Sequence, residues 1–219
     1  MREPCAARSD DERAAGRRHS SCEDADVDEK LATHSAPRAV VLVEGISDRL
    51  ALTALAGRRG RDLAGEGVSV VPIGGAQAIG RFLNRFGPHG LDINLAGLCD
   101  AGEESDVRRG LERAGLGTNL TRAEMERLGF YVCVADLEDE LIRALGADRV
   151  EEVVEAHGDL ASLRTLQKQS QWRGRPREEQ LRRFMGSGGR RKIRYARFLV
   201  DALDLSRVPR PLELVLAHV

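Results

Sequence analysis

The run Ala39-Val40-Val41-Leu42-Val43 constrains this chain more than any other stretch. It is apolar at every position and rich in β-branched residues. That excludes a half-exposed strand with alternating faces and predicts a central strand covered on both sides. The run stops at Glu44-Gly45, and Ser47-Asp48 then open a helix, RLALTALAG, that ends at Gly57. A strand, a glycine turn and a capped helix form one unit of a parallel sheet.

The unit recurs three times. Residues 68–73 (VSVVPI) read as a second strand, followed by Gly74-Gly75 and a helix near AQAIGRFLNRF. Residues 93–100 (INLAGLCD) are a third, followed by Gly102 and a helix with Val107, Leu111 and Ala114 on one face. Residues 130–135 (FYVCVA) are a fourth, leading into a helix over residues 137–145. Regular alternation of this kind predicts an α/β fold: a parallel sheet of about four strands with right-handed crossovers and flanking helices.

Beyond Val150 no strand pattern appears. Residues 150–169 and 192–203 read as helices, the second with an apolar stripe at Ile193, Ala196, Leu199 or Val200, and Leu203. Between them WRGRPREEQLRRFMGSGGRRK is basic and broken by Gly and Pro. At the other end, residues 1–37 hold nine acidic and six basic residues and almost no large apolar ones. Such a segment cannot bury enough surface to offset the entropy of ordering it. The expected organisation is a disordered tail over 1–37, an α/β domain over 38–150, and a helical, basic extension over 151–219.

Composition narrows the function. Aromatic residues make up 4% of the chain, too few for a module that stacks bases or sugars on exposed rings. No stretch approaches the roughly 18–20 apolar residues that span a bilayer, and the N-terminus has no apolar core of a secretory signal. Cys5, Cys22, Cys99 and Cys133 form no CxxC pair, and the five histidines never fall four apart, which excludes the usual zinc spacings. The expectation is a reduced, soluble, cytoplasmic protein with no membrane partner. The formal charge is −1, from 34 Lys and Arg against 35 Asp and Glu, so any nucleic-acid role must come from local segregation of charge.

That segregation is visible at the strand ends. In open parallel sheets ligands sit beyond the carboxyl ends of the strands. The first strand ends in Glu44, with Asp48 one turn on; the third ends in Asp100, with Glu103 and Glu104 beyond; the fourth runs into Asp136, Glu138, Asp139 and Glu140. Carboxylates crowded on one rim repel one another unless a cation compensates them. An all-oxygen set without His or Cys suits Mg²⁺ or Mn²⁺, and a hard ion there serves phosphoryl chemistry. Acidic residues also cap helix N-termini, an equally good account of Asp48, Glu103 and Glu104 taken singly. Glu44 has no such account, because it stands at a buried strand's end before a glycine.

A family resemblance rests on these residues. VLVEGISD (residues 41–48) resembles the first signature of TOPRIM domains, found in primases, topoisomerases, recombination mediators and OLD-family nucleases. LAGLCDAGEESDVRRGLERAG holds the place of their Asp-rich second signature. The DLExxL segment at 136–141 and Lys192 within GRRKIRYA bring the resemblance closest to the C-terminal TOPRIM nuclease part of OLD-family (overcoming lysogenization defect) ATP-dependent endonucleases. It covers roughly residues 38–204. It implies a Rossmann-like TOPRIM sheet and a two-ion Mg²⁺ or Mn²⁺ site. Glu44, Asp48 and Asp100 would bind metal, Glu44 would also handle protons, and Glu138 would serve the second ion with Asp136 or Asp139 nearby. Lys192 would stabilise charge on the phosphate.

Two departures stand out. TOPRIM domains usually carry Asp-x-Asp in the second signature, whereas this chain reads Asp100-Ala101-Gly102, leaving Glu103 as the substitute. No segment matches G-x-x-x-x-G-K-[ST], and PIGGAQAIGRF has no lysine for phosphates, so an ATP site is not expected. Between Trp172 and Arg197, ten basic residues stand against Glu178 and Glu179. Of these, Arg173, Arg175, Arg190, Arg191 and Arg194 are the expected contacts to a phosphate backbone. The resulting expectation is a metal-dependent DNA endonuclease. The alternative is a catalytically weak or inactive nucleic-acid-binding subunit that partners a separate ATPase. A homodimer is compatible with both.

Overall fold

The computed structural model describes residues 36–219, so the expected tail, with Cys5 and Cys22, lies outside the described residues except for Ala36 and Pro37. Arg38–Val219 forms one compact unit. Its frame is a sheet of four parallel strands in the order β2-β1-β3-β4: β1 (Ala39–Val43), β2 (Val68–Pro72), β3 (Asn94–Cys99) and β4 (Phe130–Val132). Val43 lies opposite Pro72 on one side and Leu98 on the other, and Gly97 lies opposite Phe130. All five residues of β1 are buried, as its unbroken apolar run requires. Pro72, which has no N–H for a ladder, ends a strand on the sheet's edge.

Ten α-helices complete the described chain: α1 (Ile46–Arg58), α2 (Ile79–Phe86), α3 (Glu104–Arg113), α4 (Arg122–Arg127), α5 (Leu137–Leu145), α6 (Ala147–Ala156), α7 (Leu160–Lys168), α8 (Arg177–Gly186), α9 (Gly189–Ala202) and α10 (Arg210–His218). One face of the sheet, carrying Val41, Val43, Leu98, Tyr131 and Cys133, shares a core with α1, α5 and every helix after it. On the other face Leu42, Gly97, Cys99 and Phe130 meet Ile79 of α2 and Val107 of α3. A Cβ on Gly97 would stand 2.5 Å from the Phe130 ring, so only glycine lets β3 and β4 approach this closely.

The helices after residue 150 are tied to the first βα unit. Arg58, in the last turn of α1, donates from Nη1 to the carbonyls of Val200 (2.6 Å) and Leu203 (2.7 Å), satisfying orphan acceptors at the end of α9. This contact pins the end of α9 to the end of α1.

Several expected boundaries move. Helix α1 starts at Ile46 with Gly45 as its N-cap, and neither Ser47 nor Asp48 is the capping residue; Asp48 instead reaches back to the Gly45 amide. β4 ends at Val132 rather than 135. The helical stretch over 150–169 is two helices, broken where Gly158 takes a φ of +76°. The basic stretch contains α8, which buries Leu181, Phe184 and Met185. In α9 Ile193 is only partly buried, and Tyr195 joins Ala196, Leu199 and Val200 in the core, its hydroxyl donating to Asp159 at 2.9 Å. Among the described residues no helix is long and apolar enough to cross a membrane.

Candidate metal and phosphate site at the strand ends

The carboxyl ends of β1 and β3 deliver the first acids. Glu44 follows β1 directly, and its carbonyl accepts from Gly74 N at 3.0 Å, which locks the turn after β1 to the turn after β2. Asp48, only 6% exposed, accepts from Gly45 N at 2.8 Å within the first turn of α1. It is thus the helix-terminus acid that its position allowed, and also part of a larger cluster. Burial raises its pKa and Glu44 raises it further, while the Gly45 hydrogen bond and Lys192 oppose the rise.

Asp100 follows β3. Burial pushes its pKa up to about 8, helped by Glu44, Asp48 and Asp136 and opposed by Lys192. Glu103, in the 3₁₀ turn before α3, accepts from Ala76 N at 3.3 Å. Its pKa is raised by burial and by the neighbouring Glu44 and Asp106, while the Ala76 hydrogen bond opposes the rise.

Glu138 is the second residue of α5 and only 4% exposed. Its Oε2 lies 3.3 Å from Lys192 Nζ, while its buried Oε1 has no hydrogen-bond partner. Burial outweighs Lys192 and lifts its pKa to about 7. Lys192 projects from the first turn of α9. Burial pulls its pKa down, but Glu138, Asp48 and Asp100 outweigh this and raise it. Glu44, Asp48, Asp100, Glu103, Glu138 and Lys192 therefore act on one another at a single rim, although they come from separate βα turns and from a helix some fifty residues further on.

Two acids named with Glu138 behave differently. Asp139 pairs with Arg143 Nε at 2.8 Å. Asp136 caps α5 by accepting from Asp139 N at 2.8 Å, and its other oxygen takes Arg182 Nε at 2.7 Å. Arg182 was not singled out by sequence, since only the packing of α8 beside the start of α5 brings it to the rim.

The arginines expected to hold a phosphate backbone are spread more widely. Arg190 is exposed in the first turn of α9, two residues from Lys192. Arg191 donates to Ser187 Oγ at 2.6 Å and lies over the Phe184 ring. Arg173 donates to the Lys168 carbonyl, Arg175 pairs with Glu179 and covers Trp172, and Arg194 pairs with Asp159 at 3.3 Å. The stretch is basic in sum, but much of its charge is engaged by neighbouring acids.

A hard divalent ion suits the rim's donor set. Its ligands are all carboxylates, one buried oxygen lacks a partner, and three of the acids are raised in pKa by burial and mutual repulsion that a cation would relieve. As the side chains stand, no three Asp, Glu, His or Cys groups among the described residues are close enough together to hold an ion.

A parallel β2-β1-β3-β4 sheet with acids at the ends of β1 and β3 and at the start of α5 is the arrangement of a TOPRIM-type domain. Comparison with known proteins agrees. Residues 37–101 match the family described as the overcoming lysogenization defect protein-like TOPRIM domain, a range that contains Glu44, Asp48 and Asp100. The chain is similar to the C-terminal region of the Xanthomonas campestris pv. campestris OLD protein, with a TM-score of 0.67 and 26% identity over 83% of this chain and 91% of that one. A second structure of that region gives 0.64 and 27%, over 84% and 95%. The C-terminal region of the Burkholderia pseudomallei OLD protein shares the fold, at 0.64 and 20% identity over 83% and 96%. No curated protein matches the sequence significantly. Residues 37–101 thus carry the match to an OLD-like TOPRIM domain, and TOPRIM domains generally bind divalent metal ions.

Proposed function

We propose that this protein is a metal-dependent nuclease that hydrolyses phosphodiester bonds of DNA at the acidic rim. The observation that supports the reading is the placement of Glu44, Asp100 and the Lys192–Glu138 pair at 3.3 Å beyond the strand ends of a sheet whose residues 37–101 match an OLD-like TOPRIM domain.

Glu44, Asp48 and Asp100 would hold one Mg²⁺ or Mn²⁺ ion, and Glu138 a second, with Glu103 standing in for the acid that Gly102 replaces. Bound there, the ions would polarise the phosphodiester, lower the pKa of a water nucleophile and stabilise the leaving oxygen. The protein's own part is to place and balance charge. Glu44 sits on a short turn whose backbone is locked to the turn after β2, so the point from which its side chain projects is set before substrate arrives. Lys192 pairs with Glu138 at 3.3 Å in the free protein and, beside a bound phosphate, would face the negative charge that grows in the transition state. The basic stretch over 172–197 would bring the phosphate backbone to the rim, with affinity that falls as salt rises.

The second reading, a weak or inactive nucleic-acid-binding subunit working with a separate ATPase, is favoured by one residue: Gly102, at the second-acid position of Asp-x-Asp, brings no carboxylate. Incubating the purified protein with supercoiled plasmid and Mn²⁺ separates the two. Nicking or linearisation by the wild type, absent in Glu44→Ala, supports the nuclease; equal cleavage by both proteins overturns it; binding without cleavage selects the second reading.

A further inference from the structure

Within the basic stretch, Arg182 differs from its neighbours. Arg177 is occupied by Asp148 (2.7 Å) and by Glu151 (3.1 Å), Arg194 by Asp159, and Arg197 by Asp201, all carboxylates away from the rim. Arg182 instead donates from Nε to Asp136, an acid whose charge helps to raise the pKa of both Asp100 and Glu138. Both Asp136 oxygens are engaged, one by the Asp139 amide and one by Arg182. Asp136 is therefore a poor metal ligand and a good anchor.

The anchor uses only one edge of the guanidinium. Among the described residues no acceptor engages the Nη1 or Nη2 nitrogens of Arg182, and its side chain is 47% exposed. The Nη1–Nη2 end of the guanidinium is thus left without a protein acceptor, and that planar fork matches two oxygens of a phosphate. Lys192, the other cation at the rim, projects from the next helix onto Glu138. Glu138 and Asp136 lie two residues apart at the start of α5, so consecutive helices α8 and α9 bring one cation each to the same α5 turn.

We infer that Arg182, positioned by Asp136, is a binding group for a backbone phosphate of the nucleic-acid substrate at the rim. The inference deepens the nuclease reading and rests on it for the identity of the substrate. It differs from general attraction by the basic stretch in assigning one guanidinium to one phosphate and giving Asp136 a positioning role in place of metal ligation.

The test is fluorescence anisotropy of a labelled DNA duplex and of its single strand, titrated with the full-length protein over a series of salt concentrations in EDTA. Arg182→Ala is expected to weaken binding about tenfold and to reduce the slope of log K against log salt by about one. Arg182→Lys keeps the charge and the slope but recovers only part of the affinity, because the fork is lost. Asp136→Asn keeps the cation, loses its anchor and weakens binding about threefold. Arg177→Ala, whose guanidinium is already occupied, changes affinity less than twofold. Arg182→Ala with wild-type affinity and slope but a lower melting temperature would mean that the residue only steadies the start of α5, and the inference fails. It fails equally if the wild type binds neither oligonucleotide. If the wild type binds, Arg182→Ala does not, and no metal ion supports cleavage, the phosphate contact stands and the nuclease reading falls.

Discussion

Asp100 and Glu104 stand four residues apart and live under opposite electrostatic conditions. Glu104 lies between Arg122 and Arg108, and Arg122 above all holds its carboxyl below the usual range. Asp100 is surrounded by Glu44, Asp48 and Asp136, with Lys192 and Arg182 acting against them, and burial with the acids pushes it up to about 8. The contrast extends through the molecule. On the helical surface Glu126 is forked by Arg210, and Glu151, despite burial, is lowered by Arg164 and Arg177. At the rim Asp48, Asp100, Glu103 and Glu138 are all raised. Among the described residues arginines pair many acids of the helical surface, whereas Asp48 and Asp100 at the strand ends take part in no ion pair. Unpaired acids in that position destabilise the fold unless a cation or a substrate compensates them, which is the usual signature of a working site.

The largest effects should come from removing rim acids. Glu44→Ala or Asp100→Asn is expected to take Mn²⁺-dependent plasmid cleavage below detection, a loss of more than about a thousandfold, while circular dichroism shows the fold intact. Lys192→Ala should cost about 10²–10³ in cleavage rate, the range for one preorganised charge-stabilising donor. It should also leave metal binding measurable, which separates its role from that of the acids.

Stability offers the next contrast. The folded-state pKa values of about 8 for Asp100 and about 7 for Glu138 lie above the ordinary 3.8 and 4.5. The folded protein therefore holds protons there that the unfolded chain has released. The resulting stability is complete below about pH 4 and is lost as pH rises through 7 and 8. Without metal, the melting temperature should fall between pH 6 and 8, and Asp100→Asn should flatten the fall. Mg²⁺ or Mn²⁺ at a hundredfold excess over Kd should raise it by about 5–10 °C at pH 8. The smallest effect belongs to the surface: Arg59→Ala, which breaks the exposed pair with Glu213, should cost about 0.2–1 kcal/mol and leave cleavage unchanged.

The site was legible in sequence where local pattern places a residue. β1 announces itself by five apolar residues, and a carboxylate directly after such a strand and before a glycine neither caps a helix nor joins the core, which leaves a ligand as its natural partner. The same holds for Asp100 after β3. Lys192 and Glu138 came from their resemblance to a known motif, and the structure brings them together at 3.3 Å. What stayed hidden depends on tertiary packing. Helix α8 was obscured by the glycines and prolines around it and by its arginines, and its buried Leu181, Phe184 and Met185 make sense only against α5 and α9. With α8 unread, Arg182 was one base among ten. Helix α10 carried a readable spacing in Leu212, Val215 and Leu216, but it follows a short, proline-marked segment that reads as an ending. Asp136 was expected only near the second ion, and sequence does not show that its two oxygens accept from Asp139 N and Arg182 Nε.

Calorimetric titration of Mn²⁺ into the metal-free protein at pH 6.5, in buffers of differing ionisation enthalpy, tests the central contrast most directly. Asp100 and Glu138 are largely protonated at that pH and must ionise to bind a cation. The heat should therefore change with the buffer and report release of about one proton or more per protein, and Asp100→Asn should bind more weakly and release fewer. Absence of binding heat, or proton release that is unaltered in Asp100→Asn, would contradict the assignment of the rim as a metal site.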